Sequence, residues 1–120
     1  MANILVIDDE VDIRGFLRIA LERDGHAVTE AGDGAAGTRI LAAQPIDLVI
    51  TDIIMPNKEG IETIIEARRD NPGLRIIAIS GGGRGGADYL KVAERLGADR
   101  TFAKPLSPTA LVEAVRELVA

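Results

Sequence analysis

Ile4-Leu5-Val6-Ile7-Asp8-Asp9 opens the chain with four consecutive apolar residues, three of them β-branched, stopped by two carboxylates. A run that short and that rich in branched side chains reads as a strand covered on both faces. Immediately after it the period changes. Ile13, Phe16, Leu17, Ala20 and Leu21 recur at three and four residues, one face of a helix, and Asp24-Gly25 closes it with a residue suited to a left-handed stop. Working outward, the same strand-then-helix unit returns. Ala27 to Ala31 is a weaker strand, and Asp33 stands where an N-cap belongs for a helix carrying Ala36, Ile40 and Leu41, ended by Gln44-Pro45. Leu48-Val49-Ile50-Thr51 leads through a loop to a helix with Ile61, Ile64 and Ile65 facing inward, broken at Asn71-Pro72-Gly73. Ile76-Ile77-Ala78-Ile79 precedes Gly81-Gly82-Gly83-Arg84-Gly85-Gly86 and a helix with Leu90, Val92, Ala93 and Leu96. A short fifth strand, Arg100 to Ala103, is followed by Ser107-Pro108, an N-cap with proline in the first helical position, and a last apolar helix face.

Five such units in 120 residues are too few for an eight-stranded barrel. All-apolar strands flanked by amphipathic helices need cover on both sides, which predicts an α/β doubly wound parallel sheet. With right-handed crossovers, the five-stranded flavodoxin-like order is 2-1-3-4-5, and ligands then bind beyond the carboxyl ends of the strands, between strands 1 and 3. The chain is expected to be one domain over 1–120, with no output domain attached.

Composition narrows the function. The 14 Lys+Arg against 19 Asp+Glu leave a net charge of -5, and the three aromatics, Phe16, Tyr89 and Phe102, make no stacking platform, so direct nucleic-acid binding is not expected. Without cysteine there is no disulfide framework, thiolate metal site or thiol nucleophile. No apolar run approaches the length of a membrane span, and the start lacks a basic, signal-peptide-like segment, which points to no membrane association and a cytoplasmic location.

The polar residues at the predicted strand ends are Asp8 and Asp9 after strand 1, Asp52 after strand 3, Ser80 after strand 4 and Lys104 after strand 5. Each has a bland reading alone: a solvated acidic pair at a helix start, a strand-end aspartate, a turn serine, a surface lysine. Taken together, they put three carboxylates, a hydroxyl and an ammonium into one crevice. Carboxylates so placed repel unless a cation sits among them, and an all-oxygen, partly open site suits Mg²⁺. A carboxylate can also accept a phosphoryl group, with Ser80 and Lys104 stabilising its oxygens. The glycine stretch lacks the Lys-Ser/Thr of a P-loop and follows strand 4, so it is expected to be a mobile loop. His26, the single histidine, is expected at the surface, and Asp47 is read as a turn residue. Tyr89 is read as a partner-contact aromatic or a half-buried helix residue, with both left open.

From Asn3 to the last helix the sequence resembles the receiver, or response-regulator, family of bacterial two-component signalling. The motifs are Ile4-Leu5-Val6-Ile7-Asp8-Asp9-Glu10, Asp47-Leu48-Val49-Ile50-Thr51-Asp52-Ile53-Ile54-Met55-Pro56 with Gly60, Ala78-Ile79-Ser80, and Lys104-Pro105. The resemblance implies that Asp52 is the phosphoacceptor, that Asp9 and Asp52 bind Mg²⁺ directly, Asp8 through water and Ile54 by its backbone carbonyl, and that Lys104 pairs with the phosphoryl group. It further implies Ser80 as the switch hydroxyl and a cis Lys104-Pro105 peptide. The implied partners are a histidine kinase or histidine phosphotransfer protein and a downstream protein target, with homodimerisation through the last two helices left open. No enzymatic activity is expected beyond the domain's own phosphotransfer and autodephosphorylation.

Two departures from the family pattern stand out. Thr101 occupies the switch position three before the lysine, where the family usually has an aromatic, and Phe102, one residue later, is expected to face the opposite way. Five glycines also fall within residues 81–86. Signalling is therefore expected through Ser80, that loop, and the face made by the last two helices and the strand between them. A phosphatase with an aspartyl nucleophile is the enzymatic rival, though such enzymes space their aspartates as D-x-D rather than adjacent. A scaffold that never needs phosphate is the third reading, favoured by Thr101 and opposed by the intact acidic set.

Overall fold

The structure is a computed structural model that describes residues 1–53, 60–81 and 86–120, with the backbone alone at 86–89. The strands and helices alternate as β1 (Asn3–Ile7), α1 (Val11–Arg23), β2 (Ala27–Ala31), α2 (Gly34–Ala43), β3 (Leu48–Asp52), α3 (Gly60–Asp70), β4 (Arg75–Ser80), α4 (Gly86–Leu96), β5 (Arg100–Ala103) and α5 (Pro108–Val119). The strands form one parallel sheet in the order β2-β1-β3-β4-β5. This is the flavodoxin-like arrangement expected from the sequence.

Alternation along each strand explains why the runs are apolar throughout. Ile4, Val6, Leu48, Ile50, Ile77 and Ile79 point to one side, where Leu17 and Leu21 of α1 and Leu111 and Val115 of α5 cover them. Leu5, Ile7, Val49, Ile76 and Ala78 point to the other, against Ile64 and Ala67 of α3 and Ala93 of α4, with Ile40 and Leu41 of α2 packed alongside. Leu17 and Leu21 are fully buried, each removing enough apolar surface from water to contribute about 2 kcal/mol.

The punctuation falls where local chemistry demands. Asp33 and Ser107 accept the N–H groups of Ala36 and Ala110, capping α2 and α5, and Gly25 follows α1 with φ of 91°. Gly60 is required for a different reason. A Cβ there would lie 2.0 Å from the Asp52 carbonyl oxygen and 2.6 Å from the Ile53 Cα, so α3 starts pressed against the end of β3. At the opposite end of the sheet Arg68 donates to the carbonyls of Pro72, Leu74 and Gly97 and pairs with Asp99, fastening α3 to the turns around β4 and β5.

Two expectations are overturned. Ile65, expected to face inward with Ile61 and Ile64, is exposed, because the packed face of α3 is the one carrying Ile64 and Ala67. His26 is 8% exposed rather than a surface residue. Pairing of β1 with β2 lays the chain start over residue 26, whose Nδ1 accepts the Ala2 N–H at 3.1 Å while Nε2 faces Asp24 at 3.5 Å. Nothing local in the sequence announces that contact. Among the described residues, no helix is long and apolar enough to cross a membrane.

Candidate functional site

Parallel register brings the strand-end residues to one level. Ile7 lies opposite Thr51, Asp52 opposite Ile79, and Ser80 opposite Ala103, so Asp8, Asp52, Ser80 and Lys104 end four neighbouring or near-neighbouring strands at the same edge. Asp8 and Ser80 are fully buried and Asp52 nearly so, while Asp9 and Glu10 are exposed. Carboxylate oxygens of Asp8, Asp9, Glu10 and Asp52 all lie within 4.8 Å of one another.

Lys104 reaches into this cluster from the end of β5. Its ammonium donates to Asp52 Oδ2 at 3.0 Å and Glu10 Oε1 at 2.9 Å, and stands 3.0 Å from Asp8 Oδ2. Burial pulls the lysine down, the largest single influence, but Glu10, Asp8 and Asp52 together outweigh it and hold the ammonium well above its ordinary value. Asp8 shifts upward, first through burial and also through the charge of Asp52, against the opposing Glu10 N–H and Lys104. The Lys104–Pro105 peptide is cis.

Asp8 itself is held on several sides. Its N–H donates to the Ala31 carbonyl, its Oδ1 accepts the Glu10 N–H at 2.9 Å, and its carbonyl accepts Arg14 Nη1 at 2.6 Å. Oδ2 is buried and accepts no hydrogen bond, because Lys104 approaches it as a charge but not along a bonding direction. A buried carboxylate oxygen without a hydrogen bond, in a cluster of four carboxylates that face one ammonium, is what a small divalent cation fits. Asp8, Asp9 and Asp52 would hold it.

The remaining expected site residues are placed as follows. The Ser80 hydroxyl donates to the Gly81 carbonyl at 3.2 Å. Thr101 donates from Oγ1 to Glu94 of α4 at 3.3 Å, whereas Phe102 packs on the other side, against the α1 and α5 layer. Asp47 accepts the Asn3 N–H at 2.8 Å, a turn role. The Ile54 carbonyl, the glycines at 82–85 and the Tyr89 side chain lie outside the described residues. Sequence reasoning gave no role to Glu10 or Arg14, although Glu10 directly follows the acidic pair. Their contacts, to Lys104 and to the Asp8 carbonyl, depend on how the loop after β1 turns.

The family model for the response regulator receiver domain matches residues 4–116. The response regulator receiver protein CpdR of Brucella abortus (strain 2308) is 41% identical over 81 residues, 68% of this chain and 68% of that protein. A receiver domain protein from Clostridium thermocellum superposes with a TM-score of 0.91 at 33% identity, over 99% of this chain and 94% of that one. TrrA from Thermotoga maritima, solved in complex with Mg²⁺-BeF, superposes with a TM-score of 0.87 at 30% identity, over 98% and 99%. The chain spans only 25% of the transcriptional regulatory protein GlrR of Escherichia coli and 23% of the DNA-binding transcriptional regulator NtrC of Azospirillum brasilense, but 96% of the chemotaxis protein CheY of Halobacterium salinarum.

Proposed function

The chain belongs to the response regulator receiver domain family, and we propose that it accepts a phosphoryl group on Asp52 from a histidine kinase or histidine phosphotransfer protein. One observation carries this reading: a nearly buried carboxylate at a strand end, gripped by Lys104 at 3.0 Å and ringed by Asp8, Asp9 and Glu10. An Asp52 oxygen attacks phosphorus, the bond from phosphorus to the donor nitrogen breaks, and its electron pair leaves with the donor imidazole. The product is an acyl phosphate. Mg²⁺, when bound, supplies charge neutralisation for the phosphoryl oxygens and for the carboxylates themselves.

The chain's own residues do the rest. Lys104 orients the Asp52 carboxylate by its 3.0 Å contact, and its ammonium then serves the new phosphoryl oxygens. The added charge near Ser80 draws that hydroxyl toward it, and the change passes to residues 81–86 and to the face of α4, β5 and α5, where a downstream protein reads it. Thr101 has too little volume to act as a rotating ring. No reaction on other molecules is required beyond this self-phosphorylation and its hydrolysis.

Incubation with Mg²⁺ and a small acyl-phosphate donor, read by intact-protein and peptide mass spectrometry, tests the reading. One phosphoryl group on Asp52 is expected, with none on Asp52→Asn. Modification at another residue, or labelling of Asp52→Asn, overturns it.

A further inference from the structure

The loop that carries Asp8 and Asp9 is not stabilised as a helix start usually is. Glu10, the N-cap of α1, makes no side-chain capping bond and spends its carboxylate on Lys104. The loop is instead held by a side chain one turn into the helix. Arg14 Nη1 donates to the Asp8 carbonyl at 2.6 Å, and its backbone N–H donates to the Glu10 carbonyl at 3.2 Å. Its Nε donates to Glu30 Oε1 of β2 at 3.1 Å, and Glu30 is braced in turn by Arg18 Nε at 2.6 Å, which also pairs with Glu22. The Arg18 and Arg14 contacts hold the Glu30 carboxyl below its usual range, so it is ionised at neutral pH.

Resting on the phosphoacceptor reading above, we infer that Arg14 is a positioning residue for the metal site: locked by Glu30, it fixes the Asp8–Asp9 peptide and so the direction of the Asp9 carboxylate. The Asp8 carbonyl is one end of that peptide, and Asp9 begins at the other. With the guanidinium gone, the Asp8 carbonyl loses its 2.6 Å donor and the peptide is held, among the described residues, only by the Glu10 N–H bond to Asp8 Oδ1, so it tilts and carries the Asp9 oxygen away from the cluster it shares with Asp8 and Asp52. A planar guanidinium is needed because it meets Glu30 through Nε and the Asp8 carbonyl through Nη1, two nitrogens held in one rigid plane, whereas an ammonium has a single nitrogen and no such fork. Arg18 is a natural control, since it grips the same Glu30 without touching Asp8.

Charge and geometry predict opposite signs. Removing a cation near a metal site attracts Mg²⁺ more strongly, whereas losing the peptide's orientation weakens binding. The experiment is an isothermal calorimetric titration with MgCl₂ alone at fixed ionic strength, on wild type, Asp9→Ala, Arg14→Met, Arg14→Lys and Arg18→Met. Arg14→Met is expected to weaken Mg²⁺ binding by about tenfold, as loss of a supporting partner commonly does. Arg14→Lys should weaken it in the same direction at unchanged charge, and Arg18→Met should stay within about twofold of wild type. Should Arg14→Met fail to fold, Arg14→Lys decides. Wild-type or tighter affinity in either Arg14 variant, or an equal loss in Arg18→Met, overturns the inference. If wild type shows no saturable binding, or Asp9→Ala binds as well as wild type, the phosphoacceptor reading falls instead.

Discussion

Replacing Lys104 by Met should expose how much of the fold's stability the acidic cluster consumes. The ammonium is 12% exposed and stands 3.0 Å from both Asp8 Oδ2 and Asp52 Oδ2, whose side chains are 0% and 6% exposed. Glu10 is 58% exposed, so its pairing is screened and counts for little. Removing one partner of a buried pair typically costs about 3–5 kcal/mol, because the other charge stays behind uncompensated. Protonation sets a ceiling. Holding an aspartate of ordinary value 3.8 protonated at pH 7 costs about 4 kcal/mol, at roughly 1.4 kcal/mol per pH unit, so Asp8 takes a proton before the loss grows larger. A destabilisation of about 3 kcal/mol at pH 7 without metal is therefore expected. The sign with pH follows: a carboxyl whose folded value is raised costs stability above its unfolded value, and that cost fades as pH falls toward it. By pH 5 the gap from wild type should shrink to under about 2 kcal/mol. Urea unfolding followed by circular dichroism, in chelator at both pH values, measures it. A variant as stable as wild type at pH 7, or a gap that widens in acid, would refute the account of this cluster.

Three further outcomes are expected. Mg²⁺ at a hundredfold excess over its dissociation constant should stabilise the folded protein by about 2.7 kcal/mol in thermal melts, and Asp9→Ala should lose most of that gain. If monovalent salt of matched ionic strength did as much, the ligand assignment would fail. Gly60→Ala forces a Cβ to within 2.0 Å of the Asp52 carbonyl and should cost about 3 kcal/mol in urea unfolding; a change under about 0.5 kcal/mol would show that α3 can retreat freely. Glu30 is held below its ordinary 4.5 by Arg18 and Arg14, so it contributes stability above that value that disappears as pH falls through the lowered one. The melting-temperature difference between wild type and Glu30→Gln should accordingly vanish in strong acid, and a difference that persists there would mean packing rather than charge carries it.

The alternation of short branched runs with three-and-four periodicity determined the element order, and the doubly apolar strands required helices on both faces. Because helical crossovers run every strand in the same direction, the polar residues just beyond each strand had to meet at one edge, so Asp8, Asp52, Ser80 and Lys104 were legible before any coordinate. Strand alternation likewise placed Thr101 and Phe102 on opposite sides. The backbone just past a strand has no such period. Whether Glu10 caps its helix or turns to Lys104, 94 residues away, depends on the loop's path and on the competing charges it meets. Arg14 reads in the sequence as one more basic residue on an amphipathic helix, and only the approach of β2 supplies the Glu30 that directs it onto the Asp8 carbonyl. His26 is the same case: a turn histidine by its neighbours, buried because β1 pairs with β2 above it. Periodicity assigns residues to faces and levels, but contacts between charged side chains distant in sequence depend on the closeness of approach and the solvent exclusion that tertiary packing creates.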